Sequence, residues 1–311
     1  MSSAVAARSP SRARRSLRWV WRNKITTVAL LFLLAVIVGA ILANYLPIAS
    51  ATNLDIPGRN EAPFSHHNGF HIFGTDSLGR DMFGQLMLGA QVSLIVSVVS
   101  VLVSGTIGIG LGLAAGYHGG RVDQVIMRLV DLQMSIPSLL VALLVLYILG
   151  PSMTNVVLVL SITRWMVYAR VTRGLMLSLK KVLFVEAARS LGASDARIIF
   201  RHMLPNLAGP LAVLATLELA IMLLTEASLD FLGLGIQPPQ TSWGLMLSEG
   251  QQYLTSAWWL VAFPGLAIML TSLCINLVAI SIRADVNASD GPQVAELGAT
   301  TEGLEIEGLL L

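Results

Sequence analysis

Four ionisable side chains stand inside apolar runs of this chain: Arg164, Glu218, Glu226 and Asp230. At mid-bilayer such a group is unfavourable by several kcal/mol unless it is paired or hydrated. The chemistry open to them is therefore lining a polar route or pairing across helices. Glu226 and Asp230 are four apart and share one helix face. Arg164 and Glu218 are expected to pair within a bundle, with snorkelling of Arg164 to the inner surface as the alternative.

His66, His67 and His71 invite a metal reading, but H-H-x-x-x-H with no nearby Cys or carboxylate is a poor ligand set. A solvated loop without a metal is expected there. Cys274 lies in an apolar run, so it reads as packing, with no disulfide framework. His-Glu-x-x-His, Gly-x-Ser-x-Gly, paired intramembrane aspartates and the phosphate-binding G-x-x-x-x-G-K-[ST] are all missing. No catalytic residue and no ATP site are expected on this chain. A secondary carrier would usually show inverted repeats with broken helices, and no internal repeat is visible.

Glu186 to Asn206, EAARSLGASDARIIFRHMLPN, is charged, rich in small residues and of helical period. Val182–Leu191 suits a short helix whose Ala187 and Ala188 give it a slim surface. Gly192 can take positive φ and end it. Ser194 is placed to cap a second helix through Asp195, Arg197 and Arg201, which Pro205 should interrupt. The product is a helix–turn–helix outside the membrane, joined to the spans on either side. An ordinary amphipathic interfacial hairpin has the same composition.

The elements that must position these residues are membrane helices. The chain is 55% hydrophobic and 12% charged, with a mean hydropathy of +0.73, far from a soluble domain's roughly one-quarter charged residues. Apolar runs long enough to span a bilayer fall near Ile25–Leu46, Ala90–Tyr117, Leu132–Leu149, Met153–Val171, Leu207–Leu232 and Trp258–Ile282. The fold expected is an all-α membrane protein with six transmembrane helices.

Arg8, Arg12, Arg14, Arg15, Arg18, Arg22 and Lys24 make residues 1–24 a basic arm, with Trp19 and Trp21 suited to the membrane interface. Arg173, Lys180, Lys181, Arg189, Arg197 and Arg201 mark the segment between spans four and five. The external loop 47–89 has only Arg59 and Arg80, and Gly233–Ala257 has neither Lys nor Arg. By the positive-inside bias both termini face the cytoplasm. The first run exceeds a signal-peptide core, so an uncleaved first helix is expected over cleavage near Ala49-Ser50-Ala51.

Residues 90–283 form the five-helix core, including segment 182–205. Residues 284–311 carry Asp285, Asp290, Glu296, Glu302, Glu305 and Glu307 without a basic residue, which reads as an acidic, disordered tail. Gly108, Gly112 and Gly116 repeat every four residues, so a second helix should approach closely there. The Gly233–Ala257 loop, with Pro238-Pro239, Trp243 and Glu249, is too apolar for a simple linker.

Glu186-Ala187-Ala188, then Gly192, then Leu204-Pro205 resembles the EAA motif of ABC importer permeases. Gly74-Thr75-Asp76-Ser77-Leu78-Gly79-Arg80-Asp81 is similar to the segment before the second span in dipeptide and oligopeptide permeases of the C-subunit type. Gly116-Tyr117-His118-Gly119-Gly120, Met127-Arg128, Tyr168-Ala169-Arg170 and Glu226 to Pro239 (ending FLGLGIQPP) extend the resemblance over residues 71–270. It implies coupling helices, with Glu186, Ala187, Ala188, Gly192, Ser194, Leu204 and Pro205 facing or shaping an ATPase contact.

The resemblance also implies a second permease subunit, cytoplasmic ATPase subunits that use ATP and Mg, and an external solute-binding protein. Its setting is a prokaryotic plasma membrane. Peptides are the expected substrate, although relatives carry nickel, glutathione or sugars, and no nucleic-acid partner is implied. Ala279 to Val286 departs from the relatives' Gly-Asp and Arg-Asp pairs, and Asp230 stands where serine is commoner. Arg164 and Glu218 lie outside the shared pattern.

Overall fold

The computed structural model describes residues 24–43 and 53–309, with side chains as far as residue 284. The expectations for the basic arm before Lys24 and for the acidic side chains of the tail lie outside that range. Regular structure among the described residues is helical, with two isolated bridges, Ser65–His71 and Thr75–Asp81.

The long helices are α1 (Lys24–Leu42), α2 (Met82–His118), α3 (Gly120–Met134), α4 (Ser138–Leu149) and α5 (Met153–Leu179). They are followed by α6 (Leu183–Ser190), α7 (Asp195–Phe231), α8 (Trp243–Gly250) and α9 (Trp259–Leu309). Four of these helices, α1, α2, α7 and α9, are long and apolar enough to cross a membrane; α3 and α4 make a fifth candidate if taken as one bent span. The six runs expected from hydropathy are thus met only in part. The third run is broken: α3 and α4 meet at 85°, where Pro137 lacks the N–H that would carry a helix through. The fourth, α5, is long enough but carries Arg164, Arg170 and Arg173.

Local chemistry accounts for the helix ends. The Asp81 carboxylate accepts a hydrogen bond from the Gly84 N–H at 2.8 Å, so α2 begins eight residues before the expected Ala90. Ser152 caps α5 through the Asn155 N–H and Ser242 caps α8 through the Leu245 N–H. Pro205 does not interrupt the second helix of the 182–205 segment. A π-helical turn at Ile198–Met203 lies immediately before it, and the widened ladder absorbs the missing proline N–H, so α7 runs on to Phe231.

The most extensive packing joins α2 to α5, and the glycine stripe makes it possible. A Cβ added at Gly108 would lie 2.2 Å from the Trp165 carbonyl oxygen. At Gly112 it would lie 2.6 Å from the Ala169 carbonyl oxygen, and at Gly116 2.6 Å from Met176 Cβ. Backbone therefore meets backbone along three turns. A second apolar core gathers Ala90, Leu223, Trp243, Trp259, Leu260 and Ile275 from α2, α7, α8 and α9. Thr26 and Ser281 hydroxyls share a buried 2.7 Å hydrogen bond that ties α1 to α9.

Candidate functional site: the 182–205 segment and the charges behind it

The helical segment between α5 and α7 is anchored from within and bare outside. Val185, Ile198 and Met203 are buried with Leu113, Tyr117, Met176, Leu207 and Leu211. On the outer face Glu186 and Ala187 are exposed and Ala188 is half-buried. Leu183 and Leu191 are 78% and 88% exposed, a large apolar display for one short helix pair. Gly192 turns the chain at φ +78° with open space around it. Its N–H bonds the Arg189 carbonyl at 3.0 Å and the Ala193 N–H bonds that of Ala188 at 3.1 Å, closing α6 as its position suggested.

Ser194 occupies the N-cap of α7, but its hydroxyl makes no capping bond; Asp195 in the first turn supplies the favourable negative charge instead. Leu204 is half-buried and Pro205 exposed at the point where the π turn ends.

Two features unforeseen in the sequence hold this segment. Tyr117, at the end of α2, donates its hydroxyl to the Asp195 carboxylate. Lys180 Nζ donates to the Tyr117 carbonyl at 2.6 Å. Tyr117 sits in the Gly-Tyr-His-Gly-Gly block, which was noted only for its resemblance.

Arg164 and Glu218 do pair. Arg164 Nε and Nη2 donate to Glu218 Oε2 and Oε1 at 2.7 and 2.6 Å, joining α5 to α7. Planar guanidinium matched to carboxylate in this two-pronged way is the geometry that makes a buried pair tolerable. Arg173 and Asp123 form a second such pair, at 2.5 and 2.6 Å, and Arg170 reaches Asp131. Both brace α3 against α5.

Glu226 and Asp230 share their helix face as expected, and both are fully buried. Of the two readings, tying elements together is the one this burial supports. Ser93 on α2 donates to Glu226 Oε1 at 3.1 Å, while Oε2 has no hydrogen-bond partner among the described residues. Asp230 Oδ1 accepts from the Ile236 N–H at 2.7 Å and Oδ2 from the Ser242 hydroxyl. The carboxylate thereby holds the 233–242 loop at Ile236 and at Ser242. Gly235 and Gly244 let it do so, since a Cβ at either would strike Asp230. Trp243 closes the unit through Nε1 to the Leu86 carbonyl at 2.9 Å.

The loop before α2 corrects a second expectation. It is a folded unit with a buried His71, not a solvated stretch. His71 Nδ1 lies 2.8 Å from Asp81 Oδ1 and Nε2 lies 3.0 Å from the His67 carbonyl. Asp76 accepts from the Leu78 and Arg80 N–H groups at 2.9 and 2.8 Å and from Arg80 Nε at 2.6 Å. Arg80 also stands 3.6 Å from Glu249 of α8. Burial raises the Glu249 carboxyl above its ordinary range, against the pull of Arg80. No group of three or more His, Cys, Asp or Glu is placed to hold a metal among the described residues.

Several apolar helices, one of them broken, with backbone-tight packing and an exposed helical handle, define a multi-pass membrane protein. Residues 108–286 match the family described as binding-protein-dependent transport system inner membrane component, and the chain belongs to it. It is 39% identical over 289 residues to the glutathione transport system permease protein GsiD of Pectobacterium atrosepticum, covering 90% of this chain and 95% of that one. It is 37% identical to the dipeptide transport system permease protein DppC of Alkalihalophilus pseudofirmus, covering 87% and 88%. It is 35% identical to the probable D,D-dipeptide transport system permease protein DdpC of Escherichia coli, covering 91% and 95%. Among solved structures, the inward-facing MetNI methionine ABC transporter shares the fold with a TM-score of 0.52 at 19% identity, over 64% of this chain and 94% of that one.

Proposed function

We propose that this chain is the transmembrane permease subunit of an ATP-driven importer that carries di- or oligopeptides across a prokaryotic plasma membrane. It hydrolyses nothing itself. A partner ATPase, using ATP and Mg, docks on the segment carrying Glu186, Ala187, Ala188 and Gly192. A second homologous permease completes the pathway, and an external binding protein delivers substrate. On this reading the chain crosses the membrane six times, through α1, α2, the bent α3–α4 pair, α5, α7 and α9, with both termini in the cytoplasm. The lysine and arginine distribution supports that orientation, and Glu218 neutralises Arg164, one of the three arginines that α5 carries.

The observation that carries the reading is the α6–Gly192–α7 handle. It is exposed outside, at Glu186, Ala187, Leu183 and Leu191, buried within at Val185, Ile198 and Met203, and continuous with a spanning helix. Peptide as substrate rests on the relatives, named for dipeptide, D,D-dipeptide and glutathione transport. Uptake of labelled dipeptide, glutathione and nickel by cells with and without this gene separates these substrates. Loss of dipeptide uptake alone is expected on deletion; unchanged uptake of dipeptide contradicts the peptide assignment.

A further inference from the structure

We infer that Tyr117 is the positioning residue through which movement of the α6–α7 handle reaches the glycine-packed α2–α5 pair. The inference rests on the proposed ATPase coupling and names the joint inside this chain that the coupling would use.

Tyr117 is 4% exposed and is the last residue but one of α2, next to Gly116 of the glycine stripe. The residue before it, Gly116, lies against Met176 and the Arg173 carbonyl of α5. Three segments then converge on the one side chain and its backbone. The hydroxyl donates to Asp195, the first residue of α7, and accepts from Arg189 Nη2 of α6 at 3.4 Å. Lys180, just past α5, donates to the Tyr117 carbonyl. Lys180 Nζ and the Arg189 guanidinium also stand 5.5 and 5.8 Å from the ring centroid, within cation–π range.

Asp195 and Arg189 lie on opposite sides of the Gly192 turn. The hydroxyl therefore holds both arms of the handle at once, and a rotation of the handle must carry α2 with it or break these bonds. Packing alone transmits less direction, because Val185, Ile198 and Met203 form a non-directional apolar contact. Docking and transmission also fall on different residues: Glu186, Ala187 and Leu191 face outward, whereas Tyr117 faces in.

The test uses the complete purified transporter in lipid vesicles with its binding protein. ATPase recovery on tagged permease, ATP turnover and substrate imported per ATP are read together. Tyr117→Phe keeps the ring and its packing and removes the hydroxyl. We expect unchanged ATPase recovery and a fall in substrate imported per ATP of about tenfold, the size of one lost charge-assisted hydrogen bond. Asp195→Ala should match it, Asp195→Asn should restore most of the ratio, and the Tyr117→Phe/Asp195→Ala double variant should be no worse than either single.

Unchanged import per ATP in Tyr117→Phe, or additive losses in the double variant, would overturn the inference. So would loss of ATPase recovery in Tyr117→Phe, which makes the residue a plain structural support. If the wild-type chain recovers no ATPase, the proposed function fails first and this joint fails with it.

Discussion

Arg164 of α5 and Glu218 of α7 meet through two nearly equal hydrogen bonds, 2.7 and 2.6 Å long, deep in the helical bundle. Glu218 has only 4% of its side chain exposed, so its charge depends on this partner. Removing one member leaves the other buried and alone, a loss of about 3–5 kcal/mol. Arg164→Ala and Glu218→Ala should each lower the amount of folded protein in membranes and its melting temperature in detergent. The Arg164→Glu/Glu218→Arg exchange should recover part of the loss. Equal damage from singles and exchange would mean that the pair is incidental.

The glycine stripe makes a contrast within one helix. Gly108→Ala would push a methyl to 2.2 Å from a backbone carbonyl, while Gly110 has nothing within 4 Å. Prising two helices apart is unfavourable by about 1–3 kcal/mol, whereas replacing an open helical glycine by alanine gains up to about 1 kcal/mol. Thermal unfolding of the two variants should therefore shift in opposite directions. A shared direction would argue against the α2–α5 contact.

Asp230 holds the 233–242 loop by one backbone and one hydroxyl donor. Asp230→Ala should leave those donors buried and unmatched, at about 1–3 kcal/mol for each, and free the loop. Limited proteolysis should then cut between Gly233 and Ser242, with wild type resistant. Resistance in the variant would place the constraint elsewhere, in Trp243 or Gly244.

The folded loop before α2 gives a local test. Gly79 has φ +77°, and a Cβ there would come within 1.8 Å of the Asp55 carbonyl oxygen. Gly119 has φ +67° with open space around it. Backbone strain is common to both substitutions by alanine, but only Gly79→Ala adds a collision. Hydrogen exchange at residues 55–81 should rise sharply in Gly79→Ala and stay near wild type in Gly119→Ala.

What was readable in the chain followed from short-range physics. The positive φ at Gly192, the glycine stripe and the pairing of two charges in apolar surroundings all follow from sterics or electrostatics that no tertiary context overturned. The errors came where one element answers to another. Pro205 reads as a break, but it falls in the first α-helical turn after the π turn at Ile198–Met203, and α7 continues. His71 reads as solvated because its partners, Asp81 and the His67 carbonyl, are brought to it by the fold of the loop. Tyr117 and Ser93 carry no local signal, since each acts on residues more than sixty positions away. The six spans read from hydropathy are met in part because the third run bends at Pro137 and α5 carries three arginines, one of them held by Glu218 of another helix.

The most direct measurement is recovery of a cytoplasmic ATPase with the tagged chain from gentle detergent, comparing wild type with Glu186→Arg and Gly192→Asp. The first variant reverses a charge on the exposed face of α6, and the second places a side chain and a negative charge at the φ +78° turn between α6 and α7. Recovery with wild type and loss in both variants is the predicted result. Full retention of the ATPase in both variants, or its absence from wild type under every condition, would contradict coupling through this segment.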